Sequence, residues 1–106
     1  MPPGRFCKNG GVFMEHWDAL RPAANAPLAL GARGASVAAL QRALERLRRG
    51  RYPELLALRP DGIFGHRTAT AVQQYQSLAG RPASGVVGPG CWDALGADCA
   101  GLRTGV

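Results

Sequence analysis

The chain has 106 residues, 46% of them hydrophobic, with 15 glycines and a formal net charge of +6. That length makes one small domain whose core has little to spare, and the composition fits a loop-rich globular chain rather than a disordered one. No apolar run approaches the roughly 18 residues of a membrane span, and the polar, glycine-bearing start from Met1 to Gly11 has no apolar signal-peptide core.

Met1 to Pro27 is an extension with weak periodicity. Phe13, Trp17 and Leu20 stand at i, i+4 and i+7, so Val12 to Leu20 is expected to form one or two helical turns before Pro22 and Pro27 interrupt it. Two roles fit this arm. It packs its aromatics on its own domain, or it docks the domain on a larger assembly, and the second is favoured because the absent export signal asks for a carrier.

Glycine-punctuated sequence from Leu28 to Ala35 leads to Ser36, a suitable N-cap. Val37, Leu40, Leu44 and Leu47 then mark one face of a first helix ending near Gly50, with Gln41 beside that face as a partner for a neighbouring loop backbone. Arg42, Arg46 and Arg49 lie on the same helix as a basic stripe. It reads as a solvated face or as an attraction to a polyanion. From Tyr52 to Pro60 runs a connector, in which Glu54 to Leu58 is expected to form a short helical turn.

Asp61-Gly62-Ile63-Phe64-Gly65 follows, a turn in which both glycines are free to adopt positive φ. It feeds a second helix over about Arg67 to Leu78, with Thr68, Ala71, Val72, Tyr75 and Ala79 at helical spacing. The design returns as Ser84-Gly85-Val86-Val87-Gly88. There Pro89 opens a third, shorter helix, and Trp92 and Leu95 form its apolar edge. Residues 97–106 read as a loose tail. The expected fold is therefore all-α, a small three-helix bundle with two repeated glycine-turn loop-to-helix units. Its parts are an arm over 1–27, a domain over 28–96 and the tail.

Several separated motifs now carry a family likeness. Leu30-Gly31-Ala32-Arg33-Gly34, Val37-Ala38-Ala39-Leu40-Gln41, Asp61 to Gly65 with Thr68, Ala71-Val72 and Tyr75-Gln76 come first. Gly85-Val86-Val87-Gly88-Pro89 with Trp92-Asp93-Ala94-Leu95 completes the set. In this order they resemble the type 1 peptidoglycan-binding domain, a three-helix module attached to many cell-wall hydrolases. The departures are Tyr75 for a phenylalanine, Cys91 for a threonine, Ser84 for the second aspartate, and a longer connector beside the first helix.

The resemblance implies non-catalytic binding of bacterial peptidoglycan, through its glycan strand, its stem peptide or both, with action at the cell wall. Under it, Asp61, Gly62, Phe64, Gly65, Thr68, Gly85, Gly88, Pro89 and Trp92 are architectural. Ligand contacts fall to a rim of Arg33, Tyr52, His66, Arg67, Gln76 and the edge of Tyr75, which offers aromatic faces, amides and arginine forks for a carboxylate. The module is expected to stand alone or to serve a separate wall hydrolase. The alternative is a structural part of a phage tail or contractile injection particle docked by residues 1–27.

Catalysis, metals and cofactors are not expected. The seven carboxylates are scattered, Cys91 with His66 is the one thiol–imidazole candidate, and Cys91 lies on an apolar edge. Cys7, Cys91 and Cys99 lack zinc-ligand spacing with the two histidines and read as reduced, idle thiols, although Cys91 and Cys99 are near enough in sequence to pair. A nucleic-acid partner is disfavoured, because the arginines are not interleaved with exposed aromatics.

Overall fold

A computed structural model describes residues 17–104. Among these residues the regular elements are a short 3-10 turn, Asp18–Leu20, and three α-helices: α1 (Ala35–Gly50), α2 (His66–Leu78) and α3 (Pro89–Thr104). Phe13 and the other residues of the expected arm before Trp17 lie outside them, as does Cys7.

Helix α1 is the central element and packs on both other helices and on the 3-10 turn. Its apolar residues follow the 3.6-residue period, so Val37, Leu40, Leu44 and Leu47 come to one buried stripe with Ala43 between them. Phe64, Val72 and Tyr75 close on this stripe from one side, and Trp92 and Leu95 close from the other; each is essentially without solvent exposure. Ser36 is not the cap of α1. Gly34 takes the N-cap position, and Ser36 Oγ instead donates to the Leu20 carbonyl at 2.8 Å, tying the chain before the bundle to its first helix.

The segment over 28–34, which turns at Leu30 and Gly31, links the two repeated loops. Leu28 and Val87 exchange backbone hydrogen bonds at 2.9 and 2.8 Å, while Gly31 N–H donates to Phe64 O, Phe64 N–H to Ala32 O, and Gly34 N–H to Gly62 O. One short stretch therefore satisfies the backbone of both loops, which would otherwise lose water without gaining partners.

Three expectations are corrected. The tail over 97–106 is not loose up to residue 104, because α3 continues to Thr104 and buries Cys99 against the Ala43 carbonyl. Its low helix propensity at Gly96 is overridden by packing. Residues 54–58 form no helical turn: Leu55 is buried and closes a turn onto Tyr52 O, and the chain then runs extended.

The third correction concerns Trp17, expected on a docking arm. It lies flat on Trp92, ring centroids 3.8 Å apart and planes 11° from parallel. Each indole N–H donates to the other residue's carbonyl, Trp17 Nε1 to Trp92 O at 3.1 Å and Trp92 Nε1 to Trp17 O at 2.8 Å. Gly96, one turn beyond Trp92, is what admits the ring: a Cβ there would fall 2.5 Å from Trp17 Nε1. Arg21 adds a bidentate pair with Asp93 at 2.9 and 3.0 Å. This part of the arm belongs to the domain.

Candidate functional site

The first repeated loop is held by an amide reaching across from α1. Gln41, 1% exposed, accepts from Gly62 N–H at 2.9 Å through Oε1. Its Nε2 lies within hydrogen-bond distance of Ile63 O (2.9 Å), Thr68 Oγ1 (3.0 Å) and Asp61 Oδ1 (3.1 Å). Asp61 Oδ1 also accepts from Ile63 N–H, the short turn in which an acidic side chain stands in for a backbone carbonyl. These contacts hold the Asp61 carboxyl below its ordinary range, the Ile63 N–H foremost and the Gln41 amide next, with the Arg59 charge a lesser cause.

The second loop repeats this arrangement. Gln76 Oε1 accepts from Gly85 N–H and its Nε2 donates to Val86 O, both at 2.9 Å, while Ser84 Oγ accepts from Val86 N–H. The serine that departs from the family pattern thus performs the role of the aspartate. Gly62 and Gly85 take φ of +78° and +79°, the left-handed conformation that favours glycine. Gly65 and Gly88 do not: Gly65 is extended at φ −97°, so the expected positive φ applies to one glycine in each loop.

Beside the first loop opens a cleft of about 500 Å³. Ala57, Leu58 and Arg59 of the connector form one wall, Asp61, Ile63 and Gly65 another, and Gln41, Arg67 and Thr68 complete it. The connector is fixed there from both helices. Glu45 of α1 accepts from Leu58 N–H, and Gln74 of α2 accepts from Leu56 N–H, each at 2.7 Å. Glu45 is itself gripped by Arg48 through two 3.0 Å bonds; the Arg48 bond is the main reason its carboxyl lies below the ordinary range. Arg67 Nη2 donates to Ala57 O at 3.1 Å, which fixes its guanidinium at the cleft and leaves further donors on the fork.

The expected rim residues divide. Arg67 lines the cleft, His66 is exposed at the start of α2, and Arg33 is exposed beside the same loop through its bridge to Ile63. Tyr75 and Gln76 are not rim residues. Tyr75 is wholly buried with its hydroxyl donating to Asp98 Oδ2 at 2.7 Å, and burial foremost pushes that hydroxyl's pKa up. Gln76 is consumed by the second loop. Tyr52 is half-buried, its ring meeting Tyr75 edge-on at 6.1 Å with Arg51 over it at 5.4 Å, and it does not line the cleft.

Of the architectural residues, Phe64, Thr68 and Trp92 are buried as expected and Pro89 opens α3. Sequence reasoning missed Arg59, Ala57 and Leu58, for which the one signal was the connector's length. It placed Gln41 against a neighbouring loop backbone, as found, but missed that the same Val-x-x-Leu/Tyr-Gln spacing gives Gln76 this role in the second loop.

Cys91 and Cys99 are poor nucleophiles. Burial raises the pKa of Cys91, whose sulfur has Gln76 Nε2 3.9 Å away, and pushes Cys99 up to about 12. Both are free, so the possible pairing between them is not made. Among the described residues no cluster of three or more His, Cys, Asp or Glu side chains is arranged to hold a metal ion, and no helix is long and apolar enough to cross a membrane.

Comparison with known proteins adds three findings. The sequence matches the peptidoglycan binding domain family over residues 33–95, a span containing both loops and the Gln41 and Gln76 clamps. Among solved structures it is similar to the crystal structure of the SleB N-terminal domain, with a TM-score of 0.59 and 27% identity. That alignment covers 73% of this chain and 97% of the other. No curated protein matches the chain.

Proposed function

Since the chain belongs to the peptidoglycan binding domain family, we propose that it binds bacterial cell-wall peptidoglycan without cleaving it, at the face formed by the first loop. The observation that carries this reading is the cleft itself, an open recess of mixed apolar and charged lining whose walls are fixed by Gln41, Glu45 and Gln74. A binder whose surface is already ordered loses less entropy on association than one that must order a loop. Arg59 and Arg67 in the cleft, with Arg33 and His66 beside it, make up the binding face, while Tyr75 and Gln76 are spent in the core and on the second loop.

The non-catalytic reading is supported by side chains among the described residues: Cys91 and Cys99 are buried with raised pKa, Glu45, Asp93 and Asp98 are paired with arginines, and the one acid of the cleft, Asp61, is bonded into its own loop. Such a module serves at the cell wall by holding a hydrolase or another partner close to its polymer. The phage-tail or injection-particle alternative has no support from the family match or from SleB, and its docking anchor Trp17 is committed to α3.

Retention on purified sacculi, run beside a dye-release assay, tests the proposal. The protein is expected to sediment with the wall and release no dye. Sedimentation no greater than a non-binding control, or measurable solubilisation, contradicts it.

A further inference from the structure

The cleft's lining separates the two halves of its proposed polymer. Sugar rings are held by flat aromatic faces together with polar donors, yet no aromatic residue lines this cleft. Two arginines, Arg59 and Arg67, are among its lining residues instead. Arg59 makes no ion pair among the described residues, and Arg67 is fixed on Ala57 O with donors remaining. Arginine forks match carboxylate geometry and form short, charge-assisted bonds. The opposing charge, Asp61, is spent largely within its loop, where Oδ1 accepts from both Ile63 and Gln41.

Gly65 is the second, independent observation. Its backbone is extended, and a Cβ built there meets no atom within 4 Å, so neither conformation nor packing requires glycine. It stands at the N-cap of α2 without a side-chain cap, a position where Asp, Asn or Ser would stabilise the helix. A residue that would improve the fold is absent at the one N-cap that lines the cleft. The absence leaves the cleft open at that point and adds no negative charge to it.

Building on the wall-binding reading above, we propose that this cleft takes the stem peptide rather than the glycan, gripping a free peptide carboxylate with Arg59 and Arg67. Stems whose gripped carboxylate is amidated or consumed in a cross-link bind more weakly.

The test uses the whole chain with three probes: a synthetic stem tetrapeptide with free carboxylates, its fully amidated form, and a peptide-free wall tetrasaccharide, each titrated by NMR. Sacculus retention is measured in parallel. The acid peptide is expected to shift loop residues of the cleft and to bind about tenfold more weakly to Arg59→Gln, as loss of one charged hydrogen-bonding partner implies. Gly65→Asp is expected to melt higher than the wild type and bind the acid peptide worse than Gly65→Asn, because the two side chains share a shape and differ in charge. Equal binding by acid and amide, or binding of the tetrasaccharide alone with sacculus retention intact, overturns the inference and leaves wall binding standing. Loss of sacculus retention by the wild type overturns the reading beneath it.

Discussion

Gln41 and Gln76 show how a buried polar side chain can specify a loop. Each amide satisfies a glycine N–H and the carbonyl one residue on, two backbone groups that no helix or strand partner reaches. Removing either leaves those groups dry and unpaired. Gln41→Ala is expected to cost about 2–3 kcal/mol, and its measurement is chemical denaturation; a loss below 0.5 kcal/mol, roughly the effect of an ordinary surface substitution, would contradict the clamp. Phe64→Ala, which empties the site behind the same loop, is expected to cost about 3–5 kcal/mol. Phe64, Thr68 and Trp92 were legible as core residues because apolar spacing reports burial directly. Tyr75 and Gln76 were misassigned to the rim for one reason: a polar atom at helical spacing looks alike whether it meets water or a loop backbone.

At the scale of elements, the two ends of the domain differ from expectation in the same way. Trp17 and the last turns of α3 read as periphery because each alone has little apolar pattern; in the fold Trp17 stacks on Trp92 over Gly96, and Cys99 packs on Ala43 of α1, contacts between residues far apart in sequence. Trp17→Ala is expected to lower stability by about 3–5 kcal/mol, as for other buried large-to-small changes. Gly96→Ala is expected to lower the melting temperature and shift tryptophan fluorescence to the red as the stack opens. Unchanged fluorescence would mean that the ring does not rest there. The connector is equally tertiary in origin. Its place was legible from its length, but its walls depend on Glu45 and Gln74, whose side chains carry no loop-binding signature. Glu45 has a folded pKa below its ordinary value of 4.5. Its contribution is therefore present above that value and is lost as pH falls through the folded pKa. Wild-type protein is expected to lose melting temperature faster than Glu45→Gln on acidification below about pH 4.5, and parallel curves would contradict the clamp on Leu58.

For the molecule as a whole, the positive charge is unevenly used. Asp93, Glu45 and Asp98 are engaged by Arg21, by Arg48 and Arg49, and by Arg51, whereas Arg33, Arg42, Arg59 and Arg81 make no ion pair among the described residues. The excess is part of a net +6; under the proposed function it favours a polymer that carries carboxylates, and such attraction weakens as salt shortens the screening length. The family was legible in the sequence because its motifs are the residues that build the two loops. The cleft was not, because one of its walls is the connector, which departs from the family in length and whose residues carry no motif. The account stands most directly on sacculus co-sedimentation of wild-type chain and Gly65→Asp side by side, with melting temperatures taken on the same samples. It predicts retention of the wild type, reduced retention of the variant, and a variant that melts no lower than the wild type. Equal retention of both folded proteins would contradict binding through this cleft.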